Sequence, residues 1–290
     1  MGDLLLSDSP MRQHPLTPMT DANLVRVLQA QVQGAKVGLI DHRSVAAGVP
    51  AVQARIAALR ADGVAFAIAD AVNDDDLRTL AAASRPLALV VAGSGLAIGI
   101  PALHGLAPSA QAAQLPPAQG ARAIVSGSCS AATLAQVADF EARGGDAFAI
   151  DPLQLAAGVD QASQALAWAR PCLGRKPVLI YASAAAAEVH AVQSQLGAGP
   201  AGALVESALA RVAVGLVAAG VGQLLVAGGE TSGACVQAMG ITQLRIGPQI
   251  DPGVPWCHAM TVGPLPGLHL ALKSGNFGGV DFFSRAFDLL

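Results

Sequence analysis

Three segments rich in glycine and serine contain the residue types that could do chemistry. They read SGSCS (residues 126–130), GGETSG (228–233) and KSGNFG (273–278), and each follows an apolar run. Glycine lets a backbone approach a ligand closely, because no Cβ is in the way. Backbone amides and hydroxyl groups at the start of a helix suit an anionic phosphate. The segments therefore predict a phosphate site; for GGETSG the alternative is an ordinary turn capped by Thr231 or Ser232.

Glu230 and Lys273 are the charged residues of these segments. Lys273 could reach a β- or γ-phosphate as a point charge, or it could be a solvated lysine at the end of a strand. Glu230 could orient Mg²⁺, directly or through water, or it could only bond to the start of its helix. The sequence has no GxxxxGK[ST] motif, which excludes a P-loop protein. Its loop at Gly93, Gly95 and Gly99 is not a proper dinucleotide fingerprint.

Arg12 and His14 lie beside two prolines and are candidates for holding an anionic substrate. The alternatives are a surface charge for Arg12 and a capped turn for His14. No metal site is predicted, because the other histidines lack partners at metal-ligand spacing and are interpreted as structural: His42, His104, His190, His258 and His269. Ser128 beside Cys129 is no nucleophile elbow, since GxSxG is absent there. The general base stays unknown, with Asp70 and Asp251 as weak candidates.

Composition excludes several classes of protein. The hydrophobic fraction is 53% but only 3% of the residues are aromatic, which is typical of helices packed on a parallel sheet. A net charge of −3 argues against a nucleic-acid surface. The four cysteines show no close spacing, which indicates reduced thiols in a cytoplasm. Glycines and prolines interrupt the uncharged runs 86–121 and 212–229, so we predict buried strands, no membrane span and a cytoplasmic protein.

Strands and helices are predicted to alternate along the chain. Strands are expected at residues 37–40, 65–69, 87–91, 122–125, 147–150, 178–181, 224–227, 244–246 and 268–272. Helices are expected at residues 23–31, 49–60, 74–83, 161–170 and 204–219, and after SGSCS and GGETSG. This alternation predicts an α/β fold with mainly parallel sheets flanked by helices. The uncharged segment 105–120, rich in Ala, Pro and Gln, reads as a linker, which predicts domains at 1–110 and 111–290.

The positions of the three segments favour one shared site. Ligands of parallel α/β sheets bind at the carboxyl ends of the strands. All three segments follow predicted strands of the second domain. We therefore expect Ser130, Gly229 and Gly275 to converge at one edge of that sheet.

Six longer motifs resemble those of the four-carbon acid sugar kinase family, in the same order. They are HPLTPMTDANLVRVLQAQ (14–31), AGSGLAIGIP (92–101), SGSCSAATLAQ (126–136), VAGGETSGACVQAMGI (226–241), LRIGPQIDPGVPW (244–256) and LALKSGNFGGVDFF (270–283). The PLTPM form of the first motif is most similar to the 3-oxo-tetronate kinases. The resemblance implies transfer of the γ-phosphoryl group of ATP to the terminal hydroxyl of a four-carbon sugar acid. It also implies an N-terminal substrate domain and a C-terminal nucleotide domain.

The resemblance assigns residues to the two ligands. ATP should meet Ser126, Ser130, Gly275 and the GGETSG segment, while Arg12, His14 and Gly93-Ser94-Gly95 belong to the acid-binding side. With Lys273 and Glu230 added from their chemistry, the predicted nucleotide site comprises Ser126, Ser130, Gly228, Gly229, Glu230, Thr231, Ser232, Gly233, Lys273 and Gly275. ATP and Mg²⁺ are the expected cofactors.

The sequence departs from the family pattern at two points. Gln249 stands where the family usually has Glu in IGPEIDPG, and the opening strand with its DDFTGA-type loop has no counterpart. The first domain is therefore expected to be incomplete, exposing a sheet edge and apolar faces. This predicts poor solubility or an inactive product.

Three functions remain open at this point. The first is a kinase acting on 3-oxo-tetronate with Mg-ATP, whose partners are the sugar acid and ATP or ADP. The second is a truncated, non-catalytic remnant that keeps the nucleotide site without turnover. The third, a dehydrogenase-like Rossmann protein, is disfavoured by the loops. The sequence leaves the stereochemistry of the acid and the oligomeric state open, with a homodimer as one candidate.

Overall fold

The computed structural model describes residues 4–13, 17–184, 186–260 and 267–290. The chain divides into two compact units, Met1–Pro108 and Ser109–Leu290. The division falls within the segment 105–120 that the sequence predicts as a linker. The later part of that segment is not a free connection, because Leu115 packs against the core of the second unit.

The first unit contains one parallel strand pair. Its 3-10 helices are Leu6–Asp8, Pro10–Gln13 and Ser94–Gly99; its other elements are α1 Leu24–Gln29, β1 Lys36–Ile40, α2 His42–Ala46, α3 Val49–Ala61, β2 Val64–Ala69, α4 Asp74–Ser84 and α5 Ile100–Leu103. Ile40 lies opposite Ala69, so both strands end at the same edge. The core beside them is formed by Ile40, Val45, Val52, Leu59, Leu80 and Ala83.

The predicted strand over residues 87–91 is wrong. The segment is irregular, and the side chains of Leu89 and Val91 are 80% and 88% exposed. Within the described residues of the first unit, β1 and β2 pair only with each other. An apolar run becomes a strand only where a neighbour satisfies its backbone N–H and C=O groups. Composition cannot reveal whether that neighbour is present.

The second unit is built on a mixed seven-stranded sheet. Its elements are a 3-10 helix at Ala110–Ala113, β3 Ala121–Ser126, α6 Ala131–Ala142, β4 Asp146–Ala149, α7 Pro152–Ala156, α8 Gln161–Ala169, β5 Val178–Tyr181, α9 Ala186–Leu196, α10 Ala198–Ala218, β6 Val221–Ala227, α11 Gly229–Ala238, β7 Arg245–Asp251, β8 Val254–Ala259, β9 Leu268–Lys273, α12 Phe282–Arg285 and a 3-10 helix at Ala286–Leu289. The strand order is β4-β5-β3-β6-β9-β8-β7. The first five strands are parallel, and β8 and β7 add an antiparallel edge.

The fold class predicted from the sequence is confirmed as α/β with mainly parallel sheets flanked by helices. Strand β8 was missed. Its sequence, VPWCHA, has a proline as its second residue and a histidine as its fifth. It therefore lacks the uniform apolar run of the parallel strands. It pairs with β7 and β9 in spite of that pattern.

Alternating side chains of the central strands pack on opposite faces of the sheet. Ile124 and Leu225 contribute to the cluster that includes residues of α6 and α12. Val125 and Leu224 contribute to the cluster that includes residues of α8, α10 and α11. Parallel strands covered on both faces are expected to be apolar throughout, which explains the high hydrophobic content without many aromatic residues.

Helix α10 is long and apolar enough, by length and composition alone, to cross a membrane over Gly199–Ala218. One such helix is weak evidence, because the core helix of a soluble domain has the same properties. Here Leu209, Val212 and Leu216 of α10 are fully buried in the core beside the sheet. Packing in the core therefore accounts for its composition.

Candidate functional site

The three glycine- and serine-rich segments meet at one edge of the second unit. They follow β3, β6 and β9, which are adjacent and parallel, so their carboxyl ends lie side by side. Ser130 Oγ donates a hydrogen bond to the Gly275 carbonyl oxygen at 2.6 Å. Gly228 N donates to the Lys273 carbonyl oxygen at 2.8 Å. The structure thus brings the predicted segments together through direct contacts.

Two of these segments lead directly into helices. Ser130 is the N-cap of α6, and its side chain accepts a hydrogen bond from Thr133 N. Helix α11 has Gly228 as its N-cap, without a side-chain cap, so the alternative of a cap by Thr231 or Ser232 is wrong. Gly228 has φ of 127°, and a Cβ there would lie 2.8 Å from Thr231 Oγ1. The tight turn therefore requires glycine.

The first turn of α11 is open to a ligand. Gly229, Glu230 and Gly233 are exposed, whereas Thr231 and Ser232 are buried. Ser232 Oγ has no hydrogen-bond partner among the residues that the structure describes. The first N–H groups of a helix have no partner within it and carry a partial positive charge. A phosphate at this position would meet those N–H groups.

Lys273 is completely buried at the end of β9. Its ammonium group donates to Thr133 Oγ1 and to the Gly275 carbonyl oxygen, both at 3.0 Å. It also donates to the carbonyl oxygens of Ser274 and Phe277, both at 3.2 Å. The four acceptors satisfy the ammonium group, and three of them belong to the loop that follows β9. Burial lowers the pKa of Lys273 to about 8.

Gln136 of α6 holds the remainder of the same loop. Its Nε2 donates to the carbonyl oxygens of Phe277, Gly278 and Gly279 at 3.0 to 3.1 Å. Because C=O and N–H point in opposite directions across a trans peptide, carbonyls turned inward leave the following amides turned outward. One such amide, Gly279 N, donates to the Asp251 carboxylate at 3.1 Å. The inward-facing carbonyls therefore turn N–H groups of this loop to its outer side, where Gly279 N bonds to Asp251.

Lys273 differs from both sequence interpretations. It is neither a solvated lysine nor a cation free to reach a phosphate, because its ammonium group is committed to the loop beside it. The sequence shows a lysine at a strand end but not that the chain folds back over it. The structure instead places its ammonium group against three carbonyl oxygens of the loop after β9.

Ser126 also differs from its predicted role as an ATP contact. It is completely buried, and its hydroxyl pairs with that of Ser183 at 2.8 Å. Asp251, a weak candidate for the base, bonds to Gly279 N and to the Arg285 guanidinium at 2.8 Å. It therefore holds the loop after β9.

Replacing Ser126 with alanine is expected to lower stability without changing nucleotide affinity. The loss of a buried hydrogen bond between two hydroxyls costs about 1 kcal/mol. Urea unfolding measures that loss, and titration calorimetry with ADP measures the affinity. A tenfold weaker affinity for ADP in S126A would show that the hydroxyl contacts the ligand directly, as the sequence resemblance implies.

Glu230 is exposed at this edge, and it lies close enough to Glu206 to change the pKa of that residue. The pKa of Glu206 is raised, first by burial and then by the negative charge of Glu230. Among the described residues, no group of three His, Cys, Asp or Glu side chains is placed to hold a metal ion. A metal here would therefore depend on oxygen atoms of a ligand in addition to Glu230.

The residues predicted for the acid-binding side lie in the first unit. Arg12 is exposed, and its guanidinium donates to the Ser7 carbonyl oxygen at 3.2 Å. His14 lies outside the described residues. Gly93, Ser94 and Gly95 are at the start of the 3-10 helix Ser94–Gly99. In the described part of this unit, no hydrogen bond or ion pair joins Arg12 to that loop, so their shared role stays a prediction.

Sequence reasoning missed four residues that the geometry singles out. Thr133 and Gln136 lie one and two turns into α6, on the side that faces the loop after β9. Their spacing of three and six residues from Ser130 was the available signal. His42 and Asp76 form a pair at 3.2 Å in the first unit. The position of Asp41-His42 directly after a predicted strand was the signal there.

Together these features define an α/β protein with a candidate anion site at the carboxyl edge of its second unit. Residues 123–283 match the family model described as a nucleotide-binding C-terminal domain. Residues 1–100 match the one described as a sugar-binding N-terminal domain.

Curated relatives align with nearly the whole of this chain. The chain is 55% identical to the 3-oxo-tetronate kinase of Pseudomonas fluorescens, over 98% of this chain and 65% of that protein. It is 53% identical to the 3-oxo-tetronate kinase of Burkholderia multivorans, over 99% of this chain and 66% of that protein. The chain thus spans just under two thirds of the length of these relatives.

Two solved structures share the fold of this chain. A Salmonella typhimurium protein of known structure is 36% identical with a TM-score of 0.74, over 98% of this chain and 67% of that chain. A Haemophilus influenzae protein is 37% identical with a TM-score of 0.65, over 99% of this chain and 68% of that chain. The chain belongs to the four-carbon acid sugar kinase family.

Proposed function

We propose that this protein is an ATP-dependent kinase that phosphorylates the terminal hydroxyl of 3-oxo-tetronate. The observation that carries the proposal is the convergence of three loops after β3, β6 and β9, joined by the Ser130–Gly275 and Gly228–Lys273 hydrogen bonds. Relatives named 3-oxo-tetronate kinase, at 53–55% identity, support the substrate class.

The chemistry asked of these loops is positioning and charge stabilisation. Phosphoryl transfer moves negative charge among phosphate oxygens, and fixed N–H groups stabilise that charge without reorganising. The first turn of α11 supplies one set of such groups, and its buried Ser232 hydroxyl, unpaired in the described structure, is a further donor. The loop held by Lys273 and Gln136 supplies the other set. These groups would bind the β- and γ-phosphates.

The residues at this edge also fit a magnesium ion carried by the nucleotide. Mg²⁺ is usually bound through one or two carboxylates together with substrate phosphates and water. Glu230 is exposed at the start of α11, and its charge already raises the pKa of Glu206. Glu230 would hold the ion directly or through water. When bound, Mg²⁺ neutralises charge that develops on the phosphates.

Two measurements on the full chain test the proposal. Calorimetry with ADP and Mg²⁺ reports whether the site binds a nucleotide. Phosphorus NMR on a mixture with ATP, Mg²⁺ and 3-oxo-tetronate reports whether a phosphomonoester forms at the terminal carbon while ATP becomes ADP. We expect binding and product formation.

The outcomes separate the competing functions. Binding of ADP without product over a panel of four-carbon acids would contradict the kinase and favour a non-catalytic nucleotide-binding protein. Stronger thermal stabilisation by NAD than by ADP would favour a dehydrogenase-like protein instead. If neither ligand binds, the assignment of the edge as a nucleotide site is wrong.

A further inference from the structure

The parallel strand pair of the first unit has its own carboxyl edge, and it carries ionisable residues. Asp41 and His42 directly follow β1, and Asp70 directly follows β2. Because Ile40 pairs with Ala69, these residues lie next to one another. Ligands of parallel sheets bind at such edges.

His42 is held in place at two points. Its backbone N–H donates to Asp70 Oδ2 at 3.2 Å, which ties α2 to the end of β2. Its ring Nε2 lies 3.2 Å from Asp76 Oδ2, at the start of α4. Asp76 is buried and also accepts from Val72 N at 2.9 Å. Asp76 therefore orients the ring, while Asp70 fixes the backbone of His42 at the end of β2.

The pairing fixes which ring nitrogen carries the proton. The hydrogen bond from Val72 N and the neighbouring His42 keep the pKa of Asp76 below its usual value. An ionised carboxylate can only accept, so Nε2 must be the donor. In the neutral ring, Nδ1 is then a hydrogen-bond acceptor.

The remaining nitrogen is available to a ligand. The His42 side chain is 43% exposed, and within the described part of the chain Nδ1 forms no hydrogen bond. The described residues around it do not form a metal site. Asp41, Asp70 and Asp76 make this edge acidic, so it disfavours a carboxylate and favours a neutral hydroxyl.

We propose that the His42–Asp76 pair recognises a hydroxyl group of a polyhydroxy acid, with Nδ1 accepting the hydroxyl hydrogen. The acid's own carboxylate then points away from this edge. The inference rests on the proposed function, since it names a contact for the hydroxyl end of the sugar acid. Neither the family match nor the sequence motifs assign this pair a role.

NMR of the full chain with ¹³C,¹⁵N-labelled histidine tests the inference. Sodium erythronate, a four-carbon polyhydroxy acid, serves as the probe, and ADP is titrated separately by calorimetry. We expect erythronate to shift the His42 ring resonances. The H42Q variant should bind the probe about tenfold more weakly. The matched control is H104Q, which removes an exposed histidine of the same unit and should bind normally.

A second variant, D76N, tests the same inference if H42Q folds poorly. D76N preserves the shape of the side chain but replaces the ionised acceptor, so the ring should lose its fixed Nε2–H tautomer. The ¹⁵N shifts of His42 report that change, and probe affinity should fall with it. A purely structural pair would lose stability in D76N without any link between tautomer and affinity.

The outcomes distinguish this inference from the proposed function. If the His42 ring does not respond to erythronate while ADP binds, the inference is wrong and the nucleotide site stands. If His42 responds but ADP does not bind, the hydroxyl site stands and the kinase proposal fails. If neither ligand has an effect, both are overturned.

Discussion

Replacing Lys273 with methionine is expected to weaken ADP binding on the order of 10- to 100-fold. The ammonium group donates to three carbonyls of the loop after β9 and to Thr133 Oγ1. Hydrogen bonds to a charged group are worth about 1.5 to 3 kcal/mol each, which corresponds to that range in affinity. Methionine fills the cavity but cannot turn those carbonyls inward. Calorimetry with Mg-ADP measures the loss.

K176M is the matched control for K273M. Lys176 is exposed and lies just before β5, away from the carboxyl ends of the strands, so its loss should leave ADP affinity unchanged. Circular dichroism checks that both variants are folded. Equal ADP affinities for K273M and the unaltered protein would show that the buried ammonium group does not shape the site.

The pH dependence of the unaltered protein tests the same role. The groups that contact the Lys273 ammonium in the described structure are uncharged, and Asp251 and Arg285, which contact the same loop, pair with each other. With a pKa of about 8, Lys273 becomes neutral above that pH, so ADP affinity should fall. The free energy of unfolding should increase as the pH rises from 8 to 10.5. In that range the unfolded chain keeps a proton that the folded chain has lost, and rising pH favours the state that binds fewer protons. K273M should lack both changes.

Replacing Gly228 with alanine is expected to destabilise the protein by about 2 to 3 kcal/mol. Its φ of 127° is reached readily only by glycine. The new Cβ would also lie 2.8 Å from Thr231 Oγ1 and 3.2 Å from Ser128 N. The start of α11 must shift to relieve these contacts, so ADP affinity should be lost as well. Urea unfolding and calorimetry measure the two effects.

G199A is the matched control for G228A. Gly199 is a helical residue of α10 with no atom within 4 Å of a built Cβ, and its φ is not positive. Alanine there should leave stability unchanged or raise it by up to about 1 kcal/mol, with normal ADP binding. A G228A protein as stable as G199A would contradict the strained turn at the start of α11.

The local sequence pattern predicted most strands and helices of the second unit. It failed where pairing with another strand decides whether an apolar run becomes a strand. Strand β5 matches its prediction at both ends, because VLIY is a buried apolar run bounded by a proline and a polar turn. The segment 87–91 looks similar in composition but is exposed. What separates them is a pairing partner, which lies elsewhere in the chain. Helix α10 begins at Ala198, before its predicted start at residue 204, although its first turns contain Gly199, Pro200 and Gly202.

The site was predictable as a set of loops but not in its internal contacts. Ser130 follows β3 and Gly275 follows β9, and both lie at one edge because β3, β6 and β9 are parallel and align their carboxyl ends. The burial of Lys273 depends on the path of the loop after β9, which no local motif specifies. The pairing of His42 with Asp76 joins residues 34 positions apart. Sequence reasoning therefore favoured the nucleotide side and overlooked the histidine.

Hydrogen–deuterium exchange of the full chain, with and without Mg-ADP, tests the convergence of the loops on one nucleotide most directly. We expect ADP to slow exchange at the start of α6, at the start of α11 and in the loop after β9, all with the same dependence on ADP concentration. Protection confined to one of these segments, or found away from all three, would contradict this expectation.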